Sequence, residues 1–197
     1  MRSRSADNVA MVADTAASLP RFRSPGVGFE QPFELLQACH ERVARSLDLL
    51  QRLLEHLDAV GHDDAARAAA HDVWRYFEIA APAHHTDEEL HVLPQLRQSG
   101  EARLVDVARR LQADHDALHA IWRALGPLLW RLHESPLPLP ADALNRLRAE
   151  AAAFIAIHQQ HLPLEDEVAF PAARALMRPE QERAMSDDMQ RRRAPPG

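Results

Sequence analysis

The second half of this 197-residue chain repeats the first, and the repeat dictates which helix faces must meet. His84-His85-Thr86-Asp87-Glu88-Glu89 leads to Leu93-Pro94 and then Arg97. At an offset of 77, His161-Leu162-Pro163-Leu164-Glu165-Asp166 leads to Phe170-Pro171 and Arg174. At an offset of 75, Ala38-Cys39-His40-Glu41 aligns with Ala113-Asp114-His115-Asp116. The chain reads as two copies of one helical hairpin, each supplying a lone histidine and then a His-x-x-x-Glu.

Apolar periodicity gives the hairpins their helices. Leu35, Leu36, Val43, Leu47, Leu50, Leu54 and Leu57 recur three and four apart, an amphipathic stripe. The first helix is predicted from Pro32, suited to a first turn, to about Val60, with Gly61 as its stop. The second is predicted from about Asp63 to Gln98, the third from Glu101 to about His133, and the fourth from about Ala141 to Met177. Pro136, Pro138 and Pro140 make the last connection rigid. Short alternating runs typical of strands are absent. Long amphipathic helices with short connections predict an all-α fold, an up-down antiparallel four-helix bundle with a metal site in its core. The expected organisation is a flexible N-terminal tail over 1–30, the bundle over 31–177, and a polar C-terminal tail over 178–197. That last stretch is read as a short helix or an unordered segment, with Arg191, Arg192 and Arg193 solvated.

Composition narrows the function classes. A net charge of -6 argues against a general nucleic-acid binder. No apolar stretch has the length of a bilayer span, so no membrane association is expected. The single cysteine, Cys39, cannot form an internal disulfide, and a cytoplasmic location is the expectation. The unusual count is 12 histidines. A lone His-x-x-x-Glu is weak evidence of a site, since residues four apart on a helix often meet as ordinary surface pairs.

Depth strengthens the case. His40 lies 21 residues before Gly61 and His84 lies 23 after it. His115 lies 20 before Ser135, and His161 lies 21 after Pro140. Glu88 and His115 lie 12 before and 15 after Gly100. At roughly 1.5 Å per residue, mismatches of this size are only a few ångströms, so antiparallel packing brings all four helices' polar residues to one level. Residues four apart share a face, so each pair points inward together. Four imidazoles and two carboxylates exceed the usual four ligands of zinc and suit two octahedral ions that share carboxylates. A ferritin-like di-iron site needs Glu-x-x-His twice; Glu88-x-x-His91 fits once, but Val168 stands at the matching place after Glu165.

The ordered set His40, His84-x-x-x-Glu88, His115, His161-x-x-x-Glu165 resembles the hemerythrin-like HHE cation-binding domains. HHTDEELHVLP and HLPLEDEVAFP look like that family's second- and fourth-helix signatures, and CHERV and DHDALH like its first- and third-helix histidines. The resemblance covers roughly residues 33–175. It implies a non-haem di-iron cofactor bridged by the two glutamates, meeting a small diatomic or peroxide ligand. Oxygen or redox sensing, stress defence and iron handling all fall within that family. His119, four after His115, resembles the third-helix histidine pair of hemerythrins proper and joins the expected ligands as a fifth imidazole.

Pro163 removes a backbone N–H and is expected to distort the helix at the ligand turn, with Asp166 the alternative to Glu165. His85 with Glu89 is read as a surface pair or a support to the ligands, and His158 as a support at the mouth of the site. His56, His62, His71, His91 and His133 are expected to be solvated. The competing class is a helical interaction module whose metal is structural or absent.

Overall fold

A computed structural model describes residues 28–193. Expectations for 1–27 and 194–197 lie outside the described residues. Five helical rods follow one another: α1 (Pro32–Ala59), α2 (64–98), α3 (Ala102–Glu134), α4 (141–176) and α5 (Pro179–Arg193). No strand occurs among the described residues. No helix there is long and apolar enough to cross a membrane.

Contacts at the two ends give the rods their directions. At one end Arg148, early in α4, pairs with Asp58 near the end of α1, and Arg67, early in α2, donates to the carbonyl of His133 at the end of α3. At the other end Arg174 of α4 donates to Glu34 of α1 at 2.8 Å, and Arg97 of α2 to Gln112 of α3 at 2.9 Å. The four long rods therefore run up, down, up and down. Gly61 with φ 100 and Gly100 with φ 76 make the tight reversals after α1 and α2. Asp63 caps α2 by accepting from the Ala66 N–H at 2.8 Å.

Prolines shape the rods locally. α2 widens into π-type turns at Tyr76–Ala80 and Glu88–Val92, and α4 does so at Glu165–Ala169. Each wide turn ends two residues before a proline: Pro82, Pro94 and Pro171. A proline ring crowds the carbonyl four residues back, here Glu78, Leu90 and Glu167, and the extra residue in the turn gives it room. Pro163 behaves differently: the α-helix continues through it to Leu164, and Glu165 opens the wide turn.

Apolar packing divides into two clusters. One gathers Leu50, Leu53, Val73, Leu125, Leu129 and Leu147 toward the α1–α2 reversal. The other gathers Leu36, Val92, Leu96, Leu111, Phe170 and Ala173 toward the α2–α3 reversal. Between them lies a buried polar layer.

The C-terminal segment corrects the expectation of a solvated polar stretch. α5 buries Met185 and Met189 in the second cluster. Arg192 and Arg193 pair with Asp87, a fully buried carboxylate of α2. The mean composition of 179–193 is polar because only the face turned to the bundle is apolar.

Candidate metal centre

The polar layer holds His40, His84, Glu88, His115, His161 and Glu165, all buried. One residue comes from α1, two from α2, one from α3 and two from α4. His84 and Glu88 share a helix face, and Nε2 lies 3.1 Å from Oε1. The repeat reproduces this in α4, where His161 Nε2 lies 3.2 Å from Glu165 Oε2. Glu88 spans the layer, with Oε1 3.6 Å from His40 Nε2 and Oε2 3.5 Å from His115 Nε2. Glu165 does likewise, 3.2 Å from His40 through Oε2 and 3.8 Å from His115 through Oε1.

Two groups of ligand atoms each fall within 4.8 Å of one another. His40, His84, Glu88 and Glu165 form one, His85, Glu88, His115 and His161 the other, and Glu88 belongs to both. Sequence reasoning thus reached six of the seven residues. It missed His85 as a member of the layer. The helical wheel turns His85 about 100° from His84, which reads as outward, but α3 closes over that side. His85 is buried and its ring stacks on His115, centroids 4.2 Å apart. His119 is not brought into either group. It is exposed, and its Nε2 lies 3.4 Å from His85 Nδ1. Sharing a face with His115 leaves it about 6 Å further along α3, and His85 stands alongside.

Carboxylates behind the layer set the tautomers. His40 Nδ1–H donates to Asp166 at 2.9 Å, His115 Nδ1–H to Glu89 at 2.9 Å, and His161 Nδ1–H to Asp114 at 3.4 Å. In the neutral ring each bond places the proton on Nδ1 and turns the Nε2 lone pair to the interior, the arrangement that orients and strengthens imidazole ligands. Asp166 and Glu89 are repeat equivalents, so the expected choice between Glu165 and Asp166 dissolves: one faces the layer and the other supports it. His84 breaks the pattern, for its Nδ1 has no partner. The repeat equivalent of Asp114 is Cys39, which brings no carboxylate.

The interior atoms are left unsatisfied. His40 Nε2, His115 Nε2, His161 Nε2, both oxygens of Glu88 and Glu165 Oε2 are buried and make no aligned hydrogen bond. Two adjacent buried carboxylates are costly unless cations compensate them. In the metal-free chain protons serve. Burial opposes charge on His40, yet Asp166, Glu165 and Glu88 outweigh it and push its pKa up to about 12. His115 rises to about 10, with Glu165 and Glu88 again overcoming burial. Burial and the neighbouring Glu165 favour neutral Glu88, but His84, His115 and His40 prevail and lower it to about 2. Burial holds His85 well below the ordinary imidazole range and His158 at about 4. His158 Nδ1–H donates to the Phe154 carbonyl at 2.9 Å, so it supports the helix beside the layer.

Two spaces approach the layer. A groove of about 640 Å³ between α1 and α4 reaches His40 and carries Glu41, Asp166 and Glu167. A small cavity of about 40 Å³ lies on the α2–α3–α4 side among Phe77, Leu118, Trp122, Phe154, His85 and His158. The remaining histidines sit elsewhere and several have partners: His56 with Asp63, His62 with the Leu132 carbonyl, His133 with the Arg67 carbonyl. His91 turns outward to Asp188 at 2.9 Å, which disposes of a ferritin-like Glu88-x-x-His91 ligand pair.

The family model for the hemerythrin HHE cation binding domain matches residues 31–173. An uncharacterized protein of Haemophilus influenzae is 31% identical over 139 residues, which cover 70% of this chain and 76% of that protein.

Proposed function

Because this chain belongs to the hemerythrin HHE cation-binding family, we propose that its buried layer holds a pair of iron ions that meet a small oxidant. His40 and His84 would serve one ion, His115 and His161 the other, with Glu88 and Glu165 shared between them. His85 is the additional imidazole on the second side, in the role first expected of His119. When bound, such a pair would supply reversible binding or reduction of dioxygen, peroxide or nitric oxide.

One observation carries the reading: the buried Nε2 atoms and carboxylate oxygens that converge on the layer without hydrogen-bond partners. Two cations would satisfy them together. The chain's own contribution is positional. Asp166, Glu89 and Asp114 hold the Nδ1 protons and aim the lone pairs. Phe77, Leu118 and Phe154 give the small cavity beside the second group an apolar lining. A cavity of about 40 Å³ has room for a molecule of two or three heavy atoms, which supports a diatomic or peroxide ligand. The acidic groove at His40 suits the approach of a cation. We place this chemistry in the cytoplasm, with which a chain whose single cysteine forms no internal disulfide is compatible.

The test is metal content after purification without added metal. About two irons per chain, with a charge-transfer band in the near-ultraviolet or visible, are expected for this ligand set. Absence of stoichiometric metal would favour the helical interaction module instead.

A further inference from the structure

α5 lies beyond the family match, which ends at residue 173. It nonetheless grips α2 on both sides of Glu88. Arg192 and Arg193 hold the fully buried Asp87, one residue before Glu88. Asp188 accepts from His91 Nε2–H at 2.9 Å, three residues after Glu88, and also from Arg192 Nε at 2.8 Å. Met185 and Met189 pack into the cluster that contains Val92, Leu93 and Leu96. The wide turn Glu88–Val92 is therefore anchored at both ends by one helix.

The internal repeat sharpens the point. In α4 the residues equivalent to Asp87 and His91 are Leu164 and Val168. Apolar residues suffice beside Glu165, where the described polar contacts of α5 do not reach the turn Glu165–Ala169. Over residues 87–92, the two positions that are polar in α2 and apolar in its copy are the two side chains that α5 binds. A buried carboxylate with no repeat counterpart is unfavourable unless a cation comes with it, and α5 brings two.

We propose that α5 is a positioning clamp for Glu88: Arg192, Arg193 and Asp188 fix Asp87 and His91, and through them the wide turn that presents the shared carboxylate. The clamp acts on one of the two glutamates only, so the two halves of a symmetric repeat hold their carboxylates with different rigidity. Its consequence for metal retention rests on the proposed function; its effect on the turn does not.

The experiment uses the full chain. Amide hydrogen exchange of residues 88–92 in the metal-free protein is compared with that of 165–169, which serve as an internal reference. One variant is Arg192→Gln with Arg193→Gln. A second is Asp87→Leu with His91→Val, which gives α2 the residues of α4 and strands no buried charge. In both variants exchange over 88–92 is expected to rise about tenfold while 165–169 stay near the parent rate. Arg192→Lys with Arg193→Lys, which keeps the charge, is expected to stay close to the parent. Loaded with cobalt(II), the first two variants are expected to release metal to a chelator about tenfold faster. Unchanged exchange over 88–92 in both, or an equal rise over 165–169, would overturn the clamp. Exchange that changes as expected in a chain that takes up no metal would uphold the clamp and sink the proposed function instead.

Discussion

His115 Nδ1 lies 2.9 Å from Glu89 Oε1, while its Nε2 lies 3.5 Å from Oε2 of the preceding residue, Glu88. Consecutive residues of α2 thus hold both nitrogens of one ring on α3. α4 does the same to α1: Asp166 meets His40 Nδ1 at 2.9 Å, and Glu165 lies 3.2 Å from its Nε2. In each case the first acid opens a wide turn, which brings neighbours about 100° apart on an ideal helix to bear on one imidazole.

The supporting acids should tune rather than create the site. Glu89→Gln and Asp166→Asn are each expected to weaken metal affinity about 10- to 100-fold while leaving the site able to fill. Competition with a chromophoric chelator measures this. Wild-type affinity in both variants would remove these acids from any role at the metals.

Removing an interior ligand should do more. His40→Ala, Glu88→Ala, His115→Ala and Glu165→Ala are each expected to lower iron per chain strongly in elemental analysis. His62→Ala and His133→Ala, whose hydrogen bonds go to carbonyls at the far end of the bundle, should keep it. Equal metal content in both sets would refute the site.

His85 and His119 separate by burial. His85→Ala is expected to shift the absorption of the iron-loaded protein and its response to azide. The exposed His119 is bonded to His85 rather than turned into the layer, so His119→Ala should keep the metal and change the spectrum less. The reverse order of spectral effects would restore His119 as the ligand.

Stability of the metal-free protein should depend on pH in a stated direction. Folded His40 at about 12 and His115 at about 10 exceed the ordinary 6.5, so their protons bind the folded state more tightly. That stabilisation is complete below pH 6.5 and is lost as pH rises through about 10 and then about 12. Glu88 at about 2 acts oppositely: its contribution is present above its ordinary 4.5 and is lost as pH falls through about 2. Metal displaces the imidazole protons. The gap between metal-loaded and metal-free melting temperatures is therefore expected to widen from pH 6 toward pH 9, about where the protonated rings begin to release their protons. A constant gap would contradict the exchange of protons for metal.

Gly61 offers a test of the fold alone. Its φ of 100 lies in the left-handed region, and its N–H bonds to the His56 carbonyl at 3.1 Å. Gly61→Ala should cost about 1 kcal/mol in denaturant unfolding, with metal content unaffected, because only backbone strain is added.

The sequence by itself determined the helical rods, their order and the level of the site. Leucines spaced three and four apart require an apolar stripe, and the offsets of 77 and 75 force His84 with Glu88, His161 with Glu165, and the lone His40 and His115 into equivalent places. Those are properties of distance along a helix, which one chain records directly. What lies around a helix depends on which neighbour covers it, and only the tertiary structure decided that. It buried His85 by stacking it on His115 and left His119 at the surface. It turned Glu89 and Asp166 from alternatives into supports for rings on other helices. It also folded a polar C-terminal stretch onto Asp87, because a pair between residues 105 positions apart leaves no periodic mark in the sequence.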